Sequence, residues 1–182
     1  MITIMPNDFL TLLNDLPGHT QHLPAGVLLF QRADPVTQVF AVRTGRVHLL
    51  RRQEDGASFL LQRAGPGALI AEASLLSDSY HCAAETVEAS SLTAWPRRAV
   101  QALVTGDKDA ALAYARHLAA EVRIARLRAE ITCLRRVSDR LDAWLAWHEC
   151  GLPAKGEWHH LAQELNVTPE ALYREIARRR RP

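Results

Sequence analysis

The chain has 182 residues, 48% hydrophobic and 23% charged, with 22 Lys and Arg against 20 Asp and Glu for a formal net charge of +2. That is enough chain to bury a core as one large domain or two small ones, and too little net charge for a uniformly basic protein, so any nucleic-acid-binding surface has to be local. Cys82, Cys133 and Cys150 are three cysteines at unrelated spacings, which argues against a disulfide framework and for a reducing compartment.

The chain opens with neither a basic leader nor a long apolar run, and no stretch approaches the roughly 18 apolar residues of a membrane span, so a cytoplasmic protein without a membrane partner is expected. A short helix is predicted around Asn7 to Leu16, ended by Pro17-Gly18. From Gly26 to Pro96 the sequence is punctuated by Gly26, Gly45, Gly56, Gly65 and Gly67. Between them lie β-rich runs at Val27–Phe30, Val39–Val42, Val47–Leu50 and Phe59–Leu61, and Asp55-Gly56 is a hairpin signal. Short strands at this interval predict a small antiparallel barrel or sandwich rather than βαβ units.

From Lys108 to Val137 there is no proline or glycine, and Ala, Leu, Arg and Glu dominate. Ala111, Ala115, Leu118, Val122, Ala125 and Ala129 recur at steps of three and four, widened by Leu127, Ile131 and Leu134. A helix of nearly thirty residues would be roughly 45 Å long, more than one small barrel covers. The pattern predicts a homodimer in which this helix packs on its copy, with small alanines allowing close approach. Arg116, Arg123, Arg126, Arg128, Arg135, Arg136 and Arg140 interleave with Glu121, Glu130 and Asp139 and read mostly as a solvated face. Asp139 to His148 is predicted as another helix, with Leu141, Trp144 and Leu145 inward, closed by Gly151-Leu152-Pro153.

The last residues, EWHHLAQELNVTPEALYREIARRRRP, read as a helix-turn-helix. Leu161, Ala162 and Leu165 face inward on the first helix. Thr168 offers an N-cap oxygen, Pro169 suits the first helical position, and Glu170 sits at the positive end of the helix dipole. Leu172 and Ile176 carry the apolar stripe, leaving Tyr173, Arg174 and Arg178 outward. Such a helix can enter a major groove, where Arg174 reads a base and Arg178, Arg179, Arg180 and Arg181 hold the phosphate backbone.

In this order, a glycine-punctuated β region, a long helix and a terminal helix-turn-helix resemble the cyclic-AMP receptor protein/fumarate-nitrate regulator (CRP/FNR) superfamily of bacterial transcription regulators. Gly26–Phe30 through Asp34 and Val39–Val47 look like its first roll hairpins. Gly67–Leu76 is similar to its nucleotide-cradling loop, and Thr168–Arg174 to its DNA-reading helix. The resemblance implies an α+β protein. An antiparallel β-roll (a double-stranded β-helix) occupies 1–107, a dimerisation helix 108–136, and a DNA-binding domain 137–182 in a short form without the family's C-terminal wing. It implies double-stranded palindromic DNA and RNA polymerase as partners. It also implies an effector pocket at Ala71, Glu72, Ala73, Ser74, Cys82 and Ala83.

The departures are informative. Nucleotide-binding members carry Gly-Glu in the cradle and an Arg-Ser or Arg-Thr pair beyond it; here Ala71 precedes Glu72, and Cys82-Ala83 stands at the pair. A phosphate buried without a cation is costly, so cyclic AMP is not the expected ligand. An iron-sulfur cluster usually needs four thiolates and is not expected either. Cys82 reads as a core residue; a haem or metal at His81, Cys82 or His48, or a redox-sensing thiol, stays open. His148, Cys150, His159 and His160 lack zinc-module spacing, so no metal site is assigned. Two readings therefore compete: a DNA-binding regulator with another effector or none, and a ligand-binding or assembly module whose DNA-binding end has decayed. Without a phosphate loop, a nucleophile elbow or paired carboxylates, no enzyme is expected.

Overall fold

The computed structural model describes residues 8–53, 58–149 and 151–180, so the expected Asp55-Gly56 turn, Cys150 and Arg181 lie outside the described residues. Two compact units divide between Leu118 and Ala119, inside one helix.

In the first unit, α1 (Asp8–Asn14) precedes β1 (His19–Leu23), β2 (Leu28–Phe30), β3 (Gln38–Thr44), β4 (Val47–Arg52), β5 (Ser58–Ala64), β6 (Leu69–Ile70), β7 (Ala83–Thr86) and β8 (Ser90–Pro96). Among the described residues they form two four-stranded antiparallel sheets, ordered β1-β8-β3-β6 and β2-β7-β4-β5. This is the α+β architecture with an antiparallel roll. Side chains alternate along a strand, and the roll uses both parities of β3. Phe40 and Val42 enter the core between the sheets with Phe30, Val47, Leu49, Cys82 and Ala84. Val39 and Ala41 enter a second core, on the other face, with Phe9 and Leu13 of α1 and Trp95 of β8. The other sheet is covered on one face only, so β4 alternates buried Val47 and Leu49 with half-buried His48 and Leu50. Gly45 turns β3 into β4 at φ +82, and a Cβ there would meet the Ser90 hydroxyl and sit 2.5 Å from the Ala89 carbonyl.

α2 (Arg97–Gly106) covers the second core with Val100 and Val104. Asp107 then accepts the Ala110 N–H at 2.8 Å and starts α3 (Lys108–Cys133), a 26-residue helix of about 39 Å. Ala113, Tyr114 and Leu118 pack on the roll's second core; Leu127 and Ile131 pack on the core of the second unit. Leu118, assigned from the sequence to a dimer seam, therefore contacts its own chain. Ala115, Ala119, Val122, Ala125 and Ala129 stay exposed, together with Leu112.

α3 ends at Cys133, earlier than the composition predicts, and α4 spans Val137–His148. No breaker residue marks this stop. A side chain from elsewhere makes it: Arg140 Nε donates to the Leu134 carbonyl at 2.7 Å, satisfying an oxygen the helix end leaves open. α5 (Trp158–Glu164) and α6 (Pro169–Arg179) complete the second unit, with Ile131, Leu141, Trp158, Leu161, Ala162, Leu165, Leu172 and Ile176 buried as its core.

Gly45→Ala is expected to destabilise the protein by about 1–3 kcal/mol from backbone strain alone, with the clash against Ala89 in addition; a denaturant midpoint unchanged from wild type contradicts this.

Candidate nucleic-acid interface

α6 is built as its sequence demands. Thr168 is extended at the N-cap and its hydroxyl accepts the Ala171 N–H at 3.3 Å; Pro169 follows in the first turn, where its missing N–H costs nothing. Leu172 and Ile176 are buried to 0% and 1% exposure. Glu170, Tyr173, Arg174 and Ala177 face water. Tyr173 packs its ring 5.7 Å from Trp158, and the Arg180 guanidinium lies 5.0 Å over that indole, so Arg180 is partly held by a cation–π contact.

The basic end of α6 divides sharply. Arg178 donates to both Glu175 oxygens, at 2.9 and 2.8 Å. Arg179 donates to Glu175 at 2.7 Å, to Asp142 at 2.6 Å and to the Ser138 carbonyl at 3.0 Å. The Arg178 and Arg179 guanidinium groups hold the Glu175 carboxyl at about 2, well below its usual value. A depressed carboxyl contributes stability above its unfolded value and loses it as pH falls through the folded one, so these pairs stay charged from neutral pH down to about 2. Arg174 makes no side-chain hydrogen bond or ion pair among the described residues. It lines an open groove of about 530 Å³ with Arg136, Val137, Ser138, Ala171, Glu175 and Arg178. Three arginines against one glutamate give the groove a positive field, and Arg136 sits at the N-terminus of α4, where the helix dipole adds to it. Arg136 at this groove and the Glu175 pairings were not legible in the sequence; only the i, i+3 and i, i+4 spacing of Glu175 to Arg178 and Arg179 hinted at them.

In the roll, the cradle loop passes through Ala71 at φ 70, a left-handed conformation unusual for alanine, into a 3₁₀ turn over Glu72–Ser74. Ala71, Glu72 and Ser74 are buried and Ala73 is exposed. The N-cap residue, Ala71, gives this turn no side-chain cap, and Glu72 follows it as the first residue of the turn. Its backbone carbonyl accepts the Tyr114 hydroxyl at 2.9 Å. Ser74 Oγ and His81 Nδ1 are 2.8 Å apart. His81 is exposed, and burial followed by nearby Arg51 lowers its pKa. Cys82 points into the roll with Ala84, at 1% exposure, and Ala83 between them is buried on the opposite face of β7. Burial, and then the Glu72 carboxylate, push the Cys82 thiol up to about 11. β4 pairs Leu50 with Ala83, which places Arg51 across from Cys82. Period-2 alternation from Val47 and Leu49 was the available signal for Arg51. Arg43 bonds Thr93 and Asn14 and covers Trp95, and Arg46 pairs with Glu88. The described residues contain no group of three potential metal ligands.

Residues 20–107 match the family of cyclic nucleotide-binding domains. The chain as a whole has the fold of the CRP/FNR regulators. It is similar to FixK2 of Bradyrhizobium japonicum, with TM-score 0.75 and 19% identity over 90% of this chain and 84% of that one. It is likewise similar to a CRP/FNR-family transcriptional regulator of Thermus thermophilus, with TM-score 0.64 and 21% identity over 89% and 87%. The c-di-GMP-responsive global regulator CLP of Xanthomonas campestris gives TM-score 0.65 and 20% identity over 88% and 86%. No curated protein matches the sequence.

In the roll, Cys82 occupies the apolar interior, and its raised pKa keeps the thiol in its less reactive protonated form at neutral pH. A raised thiol contributes stability below its unfolded value and loses it as pH climbs toward about 11. At pH 7.5 in the folded protein, exposed Cys133 is therefore expected to be alkylated while Cys82 is spared until denaturant is added. Peptide mapping that finds Cys82 modified first contradicts this.

Proposed function

We propose that the chain is a sequence-specific DNA-binding transcription regulator acting as a homodimer. The observation that carries this is α6: a capped helix whose buried stripe turns Glu170, Tyr173 and an unpaired Arg174 to solvent beside a cationic groove. Arginine reads guanine O6 and N7 in the major groove, and glutamate accepts from cytosine N4. Glu170 and Arg174, four residues apart, stand on one face of α6 to address neighbouring bases. Arg136 and Arg178 flank them for phosphates, and Arg180 extends the basic end, whereas Arg179 serves its own chain.

A palindromic site needs two copies. Leu112 and Val122, 46% and 47% exposed, continue through Ala115, Ala119, Ala125 and Ala129 at three- and four-residue steps, as in a coiled-coil seam. This strip supports α3 pairing with its copy; Arg126, at its edge, can lay its stem along the seam with its head in water. Relative to the sequence reading, the seam shifts from Leu118 toward Leu112 and Ala119. As effector, the reading takes a ligand other than cyclic AMP or none, because the cradle has Cys82-Ala83 where a phosphate needs a cation. RNA polymerase is the partner such a regulator would act on.

Arg174→Ala is expected to reduce discrimination between the preferred half-site and its single-base variants by roughly 1–3 kcal/mol while leaving binding to unrelated DNA largely intact; competition binding on a half-site library measures this, and unchanged preference contradicts it. Val122→Glu is expected to yield monomers in sedimentation, since a buried unpaired carboxylate is costly; a wild type that is already monomeric at micromolar concentration rules out the seam.

A further inference from the structure

Arg179 is spent inside the chain, and two of its three partners lie far away in sequence. Asp142 and the Ser138 carbonyl belong to the first turns of α4, at 2.6 and 3.0 Å, and Glu175 belongs to α6 itself, at 2.7 Å. From the same turns of α4, Arg140 reaches the other way. Its Nε meets the Leu134 carbonyl at 2.7 Å, in the link that follows α3. Its Nη1 meets the carbonyls of Leu165 and Asn166 at 2.9 and 2.8 Å, in the turn that precedes α6. Asn166 holds that turn in a left-handed conformation, φ 51. The entrance of α6 is thus tied to α4 by Arg140, and its last turn by Arg179.

We infer that Arg140 and Arg179 are positioning residues that fix the direction of the DNA-reading helix relative to α4, so that sequence preference, rather than attraction to the phosphate backbone, depends on them. This rests on the DNA reading proposed above. A bidentate base contact tolerates little error: a recognition group has to be held within about 0.5 Å and 10–20° of its working geometry. α6 has 11 residues and spans about 16 Å, so a pivot at either end displaces Arg174 and Glu170 together. Two anchors at opposite ends remove that pivot. The chemistry also calls for arginine. Arg179 addresses three acceptors and Arg140 three carbonyls, which suits a rigid, five-donor fork and not an ammonium. Because Arg140 also bonds Leu134, the reading helix is attached to the segment that leaves α3, and a turn of α4 about the 134–136 link would carry α6 with it.

The alternative role for Arg179 is a phosphate contact, and charge-neutralising variants of both signs separate the two. The experiment compares the full chain, Arg179→Ala and Asp142→Asn for binding to a randomised half-site library and for the salt dependence of binding to unrelated duplex. In parallel, hydrogen exchange is followed in α6 and in the strands of the roll. Positioning predicts that both variants lose about tenfold or more of their discrimination, keep the wild-type salt slope, and exchange α6 amides faster while the strands keep their protection. A phosphate contact predicts that Arg179→Ala lowers the salt slope by about one with preference intact, and that Asp142→Asn, by removing a negative charge, tightens binding to all DNA; either result overturns the inference. Exchange of α6 at the wild-type rate in both variants also overturns it. A wild type with no preferred sequence sinks the DNA reading itself, whereas wild-type preference shared by both variants sinks only the anchors.

Discussion

The burial of Leu172 and Ile176, four residues apart on α6, is the constraint on which the rest depends. Once that stripe is committed to the core with Leu141, Trp158, Leu161 and Leu165, the opposite side of the helix has no choice but to carry Glu170, Tyr173, Arg174 and Ala177 in water. Burying two such side chains is worth about 3–6 kcal/mol relative to leaving them exposed. That far exceeds what the surface arginines gain from each other or from solvent, so the apolar stripe sets the orientation and the charged residues inherit it. What is left over on that side is Arg174 and a groove whose positive field is partly offset by Glu175.

The same logic runs through the roll. β3 is buried on both faces because one sheet is covered by the facing sheet and by α1, α2 and the start of α3, whereas β4 is buried on one face only. The cradle loop keeps its backbone path at Ala71 despite the lack of glycine, and the interior position at Cys82 is apolar. The backbone path of the loop is thus set by the packing around it, and Arg51 on β4 is the cation whose field reaches His81 and Cys82.

What could be read from the sequence followed from local physics. The N-cap at Thr168, the proline after it and the i, i+4 apolar pair are local signals, and they placed α6 almost to the residue. The punctuated β region gave the antiparallel roll and four of its strands. β1, whose run His19–Leu23 lacks apolar alternation, and β8, buried on most positions, escaped because periodicity fails where a strand is polar or covered on both faces. The end of α3 at Cys133 was invisible because every residue there is a good helix former and the stop is made by Arg140. Leu118 and Leu112 lie on neighbouring faces of one helix, and only the roll's packing tells which of them is consumed by its own chain. The bonds of Arg179 to Ser138 and Asp142 could not be read because these partners lie about forty residues upstream, beyond any local pattern.

Selection by the unmodified protein from a pool of random duplex DNA tests the central claim most directly. A dimer presenting two copies of α6 is predicted to enrich two-fold symmetric half-sites centred about one helical turn, roughly 34–36 Å, apart, with guanine at a fixed place in each half. Recovery of an unenriched pool, retained at low salt and lost uniformly at high salt, would contradict it, because that is the signature of backbone attraction without reading.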